Sequence, residues 1–388
     1  MQIALLAPRD PIPIYSGLME RIYQLGETLG ADHDVTLYYP DEPSQRSTDG
    51  RTPETCRFER VGIQNPLLST LDSVVPSYSA LRGLYKTHPW LYPTLRSKLR
   101  EADPDAVVVE MPYLAPVALA AARGLDAPVV LSEHNVEYTL AERLDIGGAG
   151  LLKPFETTVA NSVDTVVTVS EADRRTLDRD VRTPIRVAPN GVDVNRYAPA
   201  AADRAVTYDT DGPVIVYHGN LGNAQNGDAV ERLVESLLPE IRRIHPEATL
   251  VLVGPNPPEL DIDGVQVTGL IDDLPAHIAR ADLALVPLRA GSGTKLKILE
   301  YLAAGTPVVT TTVGAEGLPL VDGKHAIIRE TDSELVAATD RLLSEPSAGK
   351  DLARNGRELA ETEFAWGQTL KPYRELLAGL VERGEHVD

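Results

Sequence analysis

The stretch Gly-Ser-Gly-Thr-Lys-Leu-Lys-Ile-Leu-Glu-Tyr-Leu-Ala-Ala-Gly-Thr-Pro-Val-Val, residues 291–309, decides the fold. Leu296, Leu299, Leu302 and Ala303 recur at helical spacing, so an amphipathic helix is expected. Gly305 stops it, and Thr306 and Pro307 lead into a strand at 308–311. Gly291 and Gly293 let backbone amides come close to a ligand. They stand with Ser292 and Thr294 where the helix is expected to begin, so free N–H groups and the positive dipole end face that ligand. Lys295 and Lys297 add charge there, and Glu300, a turn further on, offers a carboxylate to hydroxyl groups. An anion site beside a diol acceptor suits a nucleotide diphosphate sugar.

Outward from this stretch the chain alternates strand and helix. Continuous Val, Ile, Leu and Ala runs predict strands at 3–7, 35–39, 106–109, 129–132, 165–169 and 185–188. A second series follows at 214–217, 250–253, 265–268, 283–286 and 308–311. Such runs are buried on both faces, as in parallel sheets. With helices between them, at 18–29 and 229–244 for example, two doubly wound Rossmann-like domains are expected. The segment 196–212 is rich in Ala and Asp and lacks a periodic apolar face, which places the boundary there. The expected units are residues 1–196, residues 213–365 and a terminal segment 366–388 with a helix at 369–382.

The 291–309 stretch resembles the donor-binding motif of retaining family 4 glycosyltransferases of the GT-B fold. The likeness extends over most of the chain. It takes in Ser-Gly at 16–17, Ser-Glu-His-Asn at 132–135, Val-Ser-Glu at 169–171, Pro-Asn-Gly-Val-Asp at 189–193, Tyr-His-Gly-Asn at 217–220, Val-Gly at 253–254 and Gly-Ala-Glu-Gly-Leu at 314–318. Two positions depart from it. Many relatives carry two glutamates eight positions apart, and Ser292 replaces the first; many carry an Arg where this chain has Asn220.

The resemblance implies an α/β GT-B fold whose two domains face a cleft, with the terminal segment crossing back onto the first. It implies that Gly17 lies against the cleft, that His134 meets the transferred sugar, and that Ile271 marks the backbone near the nucleobase. The turn at 218–223 would approach the pyrophosphate through Gly219 and Asn220. With no Arg there, Lys295 is the main cation for the diphosphate and Lys297 a substitute for the missing charge. On the residues alone, His134 reads equally as a structural histidine, Ser170 and Glu171 as an ordinary helix cap, and Asn190 and Gly191 as a turn. Glu133 and Glu137 are alternative carboxylates. A retaining glycosidase holds two carboxyl groups about 5 Å apart, and nearness in sequence is not such a pair.

Composition narrows the function classes. The chain has 388 residues, 43% hydrophobic and 24% charged, as in a globular protein of two domains. No apolar run is long enough to span a bilayer, and the first residues lack the basic start of a signal peptide, so a cytoplasmic protein is expected. Cys56 alone forms no internal disulfide, and the eight histidines show no metal-ligand spacing. The net charge of −20 disfavours nucleic acid as partner. Only eight of the 37 basic residues are lysine, which together with abundant Asp points to a halophilic, salt-adapted surface.

Residues 65–100 run against that charge. They hold Arg82, Lys86, Arg96, Lys98 and Arg100 against Asp72, with Tyr78, Tyr85, Trp90 and Tyr92. They read either as a surface for an anionic membrane or lipid phosphate, or as a helical subdomain with its aromatics packed inward. The expected activity is sugar transfer from a nucleotide diphosphate donor to a glycan or lipid-linked acceptor, with retention, and with no metal or other cofactor. A nucleotide-sugar epimerase of the same fold and a non-catalytic nucleotide-sugar-binding protein remain as alternatives.

Overall fold

The computed structural model describes residues 1–12, 14, 16–40, 53–61, 89–143, 149–204, 206, 208, 210–291 and 294–384. Two parallel sheets organise them. The first runs β3-β2-β1-β4-β5-β6-β7. Its strands are β1 (Gln2–Leu6), β2 (Asp34–Pro40), β3 (Cys56–Val61), β4 (Ala106–Glu110), β5 (Val129–Glu133), β6 (Thr165–Thr168) and β7 (Ile185–Val187). The second runs β10-β9-β8-β11-β12-β13, with β8 (Val214–His218), β9 (Thr249–Val253), β10 (Val265–Gly269), β11 (Leu283–Val286), β12 (Val308–Thr310) and β13 (Ile327–Ile328). Strand order reverses between β1 and β4 and again between β8 and β11. In open α/β sheets such reversals are where ligands bind, beyond the carboxyl ends of the strands.

The apolar runs account for the sheet centres. Every residue of β4, β5, β8 and β9 is buried. All eleven expected strands form. Two edge strands, β3 and β13, are additional: β3 carries Arg57 and Arg60 on exposed positions with Glu59 half-buried, and β13 has only two residues. The helix expected at 229–244 begins earlier, at Ala224, and passes through a wide π-type turn at Arg232–Leu237. Pro239 follows that turn and lacks the N–H that an unbroken α ladder requires.

The C-terminal segment returns to the first sheet. A short turn, Trp366–Thr369, leads into helix Lys371–Gly384. Trp366, Leu370, Tyr373 and Leu377 pack in one cluster with Ile3, Leu5, Ile22, Leu25 and Val108. Gly191 makes room for this crossing: a Cβ there would lie 2.8 Å from the Trp366 ring.

Candidate active site

A cleft of about 330 Å³ opens between the carboxyl ends of the two sheets, a size suited to a small ligand. Its second-sheet wall is built by helix Leu296–Ala304, whose buried residues are Ile298, Leu299, Tyr301, Leu302, Ala303 and Ala304. The helix begins at Leu296, beyond the 291–294 turn where its start is expected, with Lys295 at the N-cap position and no side-chain cap. Gly305, at φ +69°, closes it in the left-handed region. Gly291 has φ +155°, and a Cβ there would come within 3.0 Å of Lys295 Cε, so the glycine lets the lysine fold back. The Lys295 side chain is 6% exposed and its Nζ lies 3.7 Å from Glu316 Oε2. Thr294 lines the cleft, with its hydroxyl unpartnered among the described residues. Ser292 and Gly293 lie outside the described residues.

Lys297 and Glu300 project from the same helix into the cleft. Lys297 Nζ donates to the Tyr217 hydroxyl at 2.9 Å and to Asn226 Oδ1 at 2.8 Å. Burial of this ammonium pushes its pKa down to about 7; Glu300 opposes that shift and Lys295 adds to it. Glu300 Oε1 accepts from the Tyr197 hydroxyl at 3.0 Å, and Oε2 lies 3.0 Å from His218 Nε2. The Tyr197 hydroxyl thus holds one oxygen of a carboxylate that lines the cleft, and the His218 ring lies beside the other.

The loop after β8 completes this wall. Gly219 has φ +145°, and a Cβ there would crowd Lys297 Nζ at 3.0 Å. Asn220 does not stand in for an arginine. Its Oδ1 accepts from Gly222 N and Asn256 Nδ2, and its carbonyl accepts from Asn226 Nδ2, so much of it shapes the loop. The positive charge at this point comes instead from Lys297. Further along the cleft, Leu270 and Ile271 line it together with Val253 and Gly254, giving an apolar end.

The first sheet supplies the opposite wall. Gly17 starts helix Gly17–Gly30 against the other wall: a Cβ on it would lie 2.7 Å from Leu296 Cδ1. Two helix starts therefore meet at the cleft. His134, just beyond β5, lines it and places Nε2 2.5 Å from Glu110 Oε2, both side chains buried. Arg21, fully buried in helix Gly17–Gly30, donates to the Ala188 and Pro189 carbonyls and to Asn190 Oδ1. The turn at 189–191 is fastened in this way.

Glu133 points to the other face of β5, away from the cleft lining. Burial raises its pKa well above the ordinary value, as do the charges of Glu156 and Glu137. Glu156 accepts from the N–H groups of Glu137 and Tyr138, and burial lifts it to about 8. Neither Glu133 nor Glu137 lines the cleft.

Tyr197, Asn226, Arg21 and Glu110 are site or support residues that the sequence reading did not single out. Arg21 left a signal: it shares a helical stripe with Leu18, Leu25 and Leu29, where a cation is out of place. Glu110 left another, as a carboxylate ending the run Ala-Val-Val-Val. Among the described residues no cluster of metal-ligating side chains is found, and no helix is long and apolar enough to cross a membrane.

The comparisons agree with this architecture. Residues 15–196 match the family described as Glycosyltransferase Family 4, and residues 212–345 match Glycosyl transferases group 1. The chain belongs to glycosyltransferase family 4. This family 4 member has the GT-B fold and is a nucleotide-sugar-dependent glycosyltransferase. It is 27% identical to a glycogen synthase of Mycobacterium tuberculosis, over 99% of this chain and 96% of that one. It is 28% identical to a GDP-mannose-dependent alpha-(1-6)-phosphatidylinositol monomannoside mannosyltransferase of Mycolicibacterium smegmatis, over 74% and 81%. A sucrose-phosphate synthase of Thermosynechococcus elongatus shares the fold at 22% identity, with TM-score 0.78 over 98% of this chain and all of the other.

Proposed function

We propose that the enzyme moves a sugar from a nucleotide diphosphate donor to a hydroxyl of a glycan or lipid-linked acceptor, with retention of configuration. The observation that carries this reading is the facing of two unlike walls across one cleft. Lys295, Lys297 and Glu300 stand on one wall and His134 on the other. On this reading the lysines and the free N–H groups at the start of helix Leu296–Ala304 stabilise the leaving diphosphate. Glu300 takes the ribose hydroxyls, the apolar end around Ile271 takes the base, and His134 faces the sugar as its anomeric centre becomes cationic. Two lysines at the diphosphate let the chain's own charges do this work, which favours a metal-independent enzyme. Closure of the walls keeps water from the donor.

Family membership supports retention. The two relatives' names, one a glycogen synthase and one a mannosyltransferase of a phosphatidylinositol mannoside, support an acceptor that is a glycan or a lipid-linked sugar. We place the enzyme in the cytoplasm with an acidic, salt-tolerant surface. Docking of residues 65–100 on an anionic membrane gains less support. Residues 65–88 lie outside the described part. Arg96 donates to the Ala120, Ala121 and Arg123 carbonyls, capping helix Ala115–Ala122, Lys98 pairs with Glu59 at 2.7 Å, and Trp90 packs against the first sheet's core. Arg100 and Tyr92 are left exposed.

The test is incubation with radiolabelled UDP-, GDP- and ADP-sugars, with lipid extract, with soluble glycans, with EDTA, and with no acceptor. A new glycoside of retained configuration, formed with EDTA present, is expected. A changed sugar without acceptor would favour the epimerase, and tight binding without turnover the binding protein.

A further inference from the structure

His134 does not enter the cleft alone. Glu110 ends β4 and pairs in register with Ser132 of β5, which brings its carboxylate beside the ring that follows that strand. The carboxyl is fully buried, and its second oxygen, Oε1, has no hydrogen-bond partner among the described residues. Arg21 is the buried cation of this region. Burial pushes its pKa down, and Tyr373 and then Glu110 oppose that effect. A carboxylate offers only lone pairs, so the imidazole nitrogen facing it carries the proton. In the neutral ring the other nitrogen, Nδ1, then holds the lone pair. A short bond to the Glu110 carboxyl fixes the ring's orientation as well as its tautomer.

We propose that Glu110 is a positioning residue for sugar transfer: it fixes His134 as the Nε2-protonated tautomer, so that the Nδ1 lone pair is presented to the sugar as positive charge develops there. This rests on the reading that His134 meets the transferred sugar. An imidazolium would oppose an oxocarbenium-like centre, whereas a neutral ring with its lone pair forward, backed by a buried carboxylate, favours it. The interaction strengthens in the transition state and is weak in the ground state, so it acts on kcat rather than on donor affinity.

The Glu110→Gln variant keeps the shape and removes the charge. Its amide NH₂ can donate to Nε2, which moves the ring proton to Nδ1 and turns the lone pair away from the sugar. Carboxylate-to-amide changes behind a catalytic histidine act in this way. We expect kcat to fall by at least about 10-fold and at most about 10⁴-fold, the size of the loss when a buried carboxylate behind a catalytic histidine becomes an amide. The donor KM and the Kd for UDP or GDP should change less than about twofold. Imidazole ¹⁵N spectra, with His134 assigned by its loss in His134→Ala, should show Nε2–H in the wild type and Nδ1–H in Glu110→Gln.

An Nδ1–H signal in the wild type would overturn the proposal. So would a folded Glu110→Gln enzyme with unchanged kcat, or one whose loss lies wholly in KM. Should the variant fail to fold, the wild-type ¹⁵N pattern decides alone. The underlying reading fails separately: His134→Ala with full kcat removes His134 from the site whatever its tautomer.

Discussion

Lys297 Nζ donates to Asn226 Oδ1 at 2.8 Å, joining the helix after β11 to the helix after β8 across the cleft wall. Both partners of this ammonium, Asn226 and the Tyr217 hydroxyl, are neutral, and Tyr217 is itself raised by burial. Among the described residues Lys297 therefore has no directly bonded carboxylate, with Glu300 nearby favouring its charge and Lys295 opposing it.

The first prediction is a pH-dependent donor affinity. A bound diphosphate favours the charged lysine, whose pKa in the empty cleft is about 7. Above that pH, binding must take up a proton. Affinity for UDP or GDP should fall as pH rises from 7 to 9, by up to about tenfold per unit. Lys297→Arg stays charged and should flatten the slope. Titration calorimetry in buffers of different ionisation enthalpy reads the proton uptake, and a flat wild-type profile would count against the role.

Lys295→Ala should weaken nucleotide binding and turnover together. Hydrogen bonds to charged groups contribute about 1.5–3 kcal/mol, hence roughly a 10- to 100-fold rise in Kd. Isothermal titration and initial rates measure both, and unchanged values would dismiss the assignment.

Glu300→Gln should raise the donor KM about tenfold with little effect on kcat, because charge-assisted bonds to the ribose are the stronger kind. Tyr197→Phe removes one of the carboxylate's partners and should give a smaller rise, about threefold. If Glu300→Gln loses activity only by unfolding, seen as a lowered Tm, the residue is structural.

Glu133→Gln should change stability rather than catalysis. The folded-state pKa of Glu133 lies well above its ordinary 4.5, so the folded protein binds more protons than the unfolded chain from pH 4.5 upward. Its contribution is fully present below 4.5 and is lost as pH rises towards the folded value. The variant lacks this loss. Its Tm should match the wild type near pH 4 and exceed it at pH 8. Melting curves across that range decide the matter, and parallel curves would show that Glu133 has a partner outside the described residues.

Much of the fold was legible because burial on two faces leaves an uninterrupted apolar run, and all eleven such runs are strands. β3 escaped notice because an edge strand with one solvated face carries Arg57, Glu59 and Arg60. Lys295, Lys297 and Glu300 were legible as cleft residues because one short stretch carries them at fixed spacing. Their partners were not. Tyr197 meets Glu300 from 103 positions away, and Glu110 meets His134 from a neighbouring strand. Such pairs arise from strand order, which a local pattern does not encode. Lys297, expected to substitute for the arginine absent at Asn220, does reach the loop after β8 from a different element.

The packing of Trp366, Leu370, Tyr373 and Leu377 around β1 also has a meaning in time. β1 (Gln2–Leu6) is synthesised long before Trp366, Leu370, Tyr373 and Leu377, the residues that seal its layer. At about 5–20 residues per second, the completed first half waits roughly 10–40 s for them. During that interval the apolar surface of Ile3, Ile22 and Leu25 stands open. The nascent chain is then at its most exposed to chaperones and to aggregation, and a stop codon shortly before Trp366 would leave that surface uncovered for good.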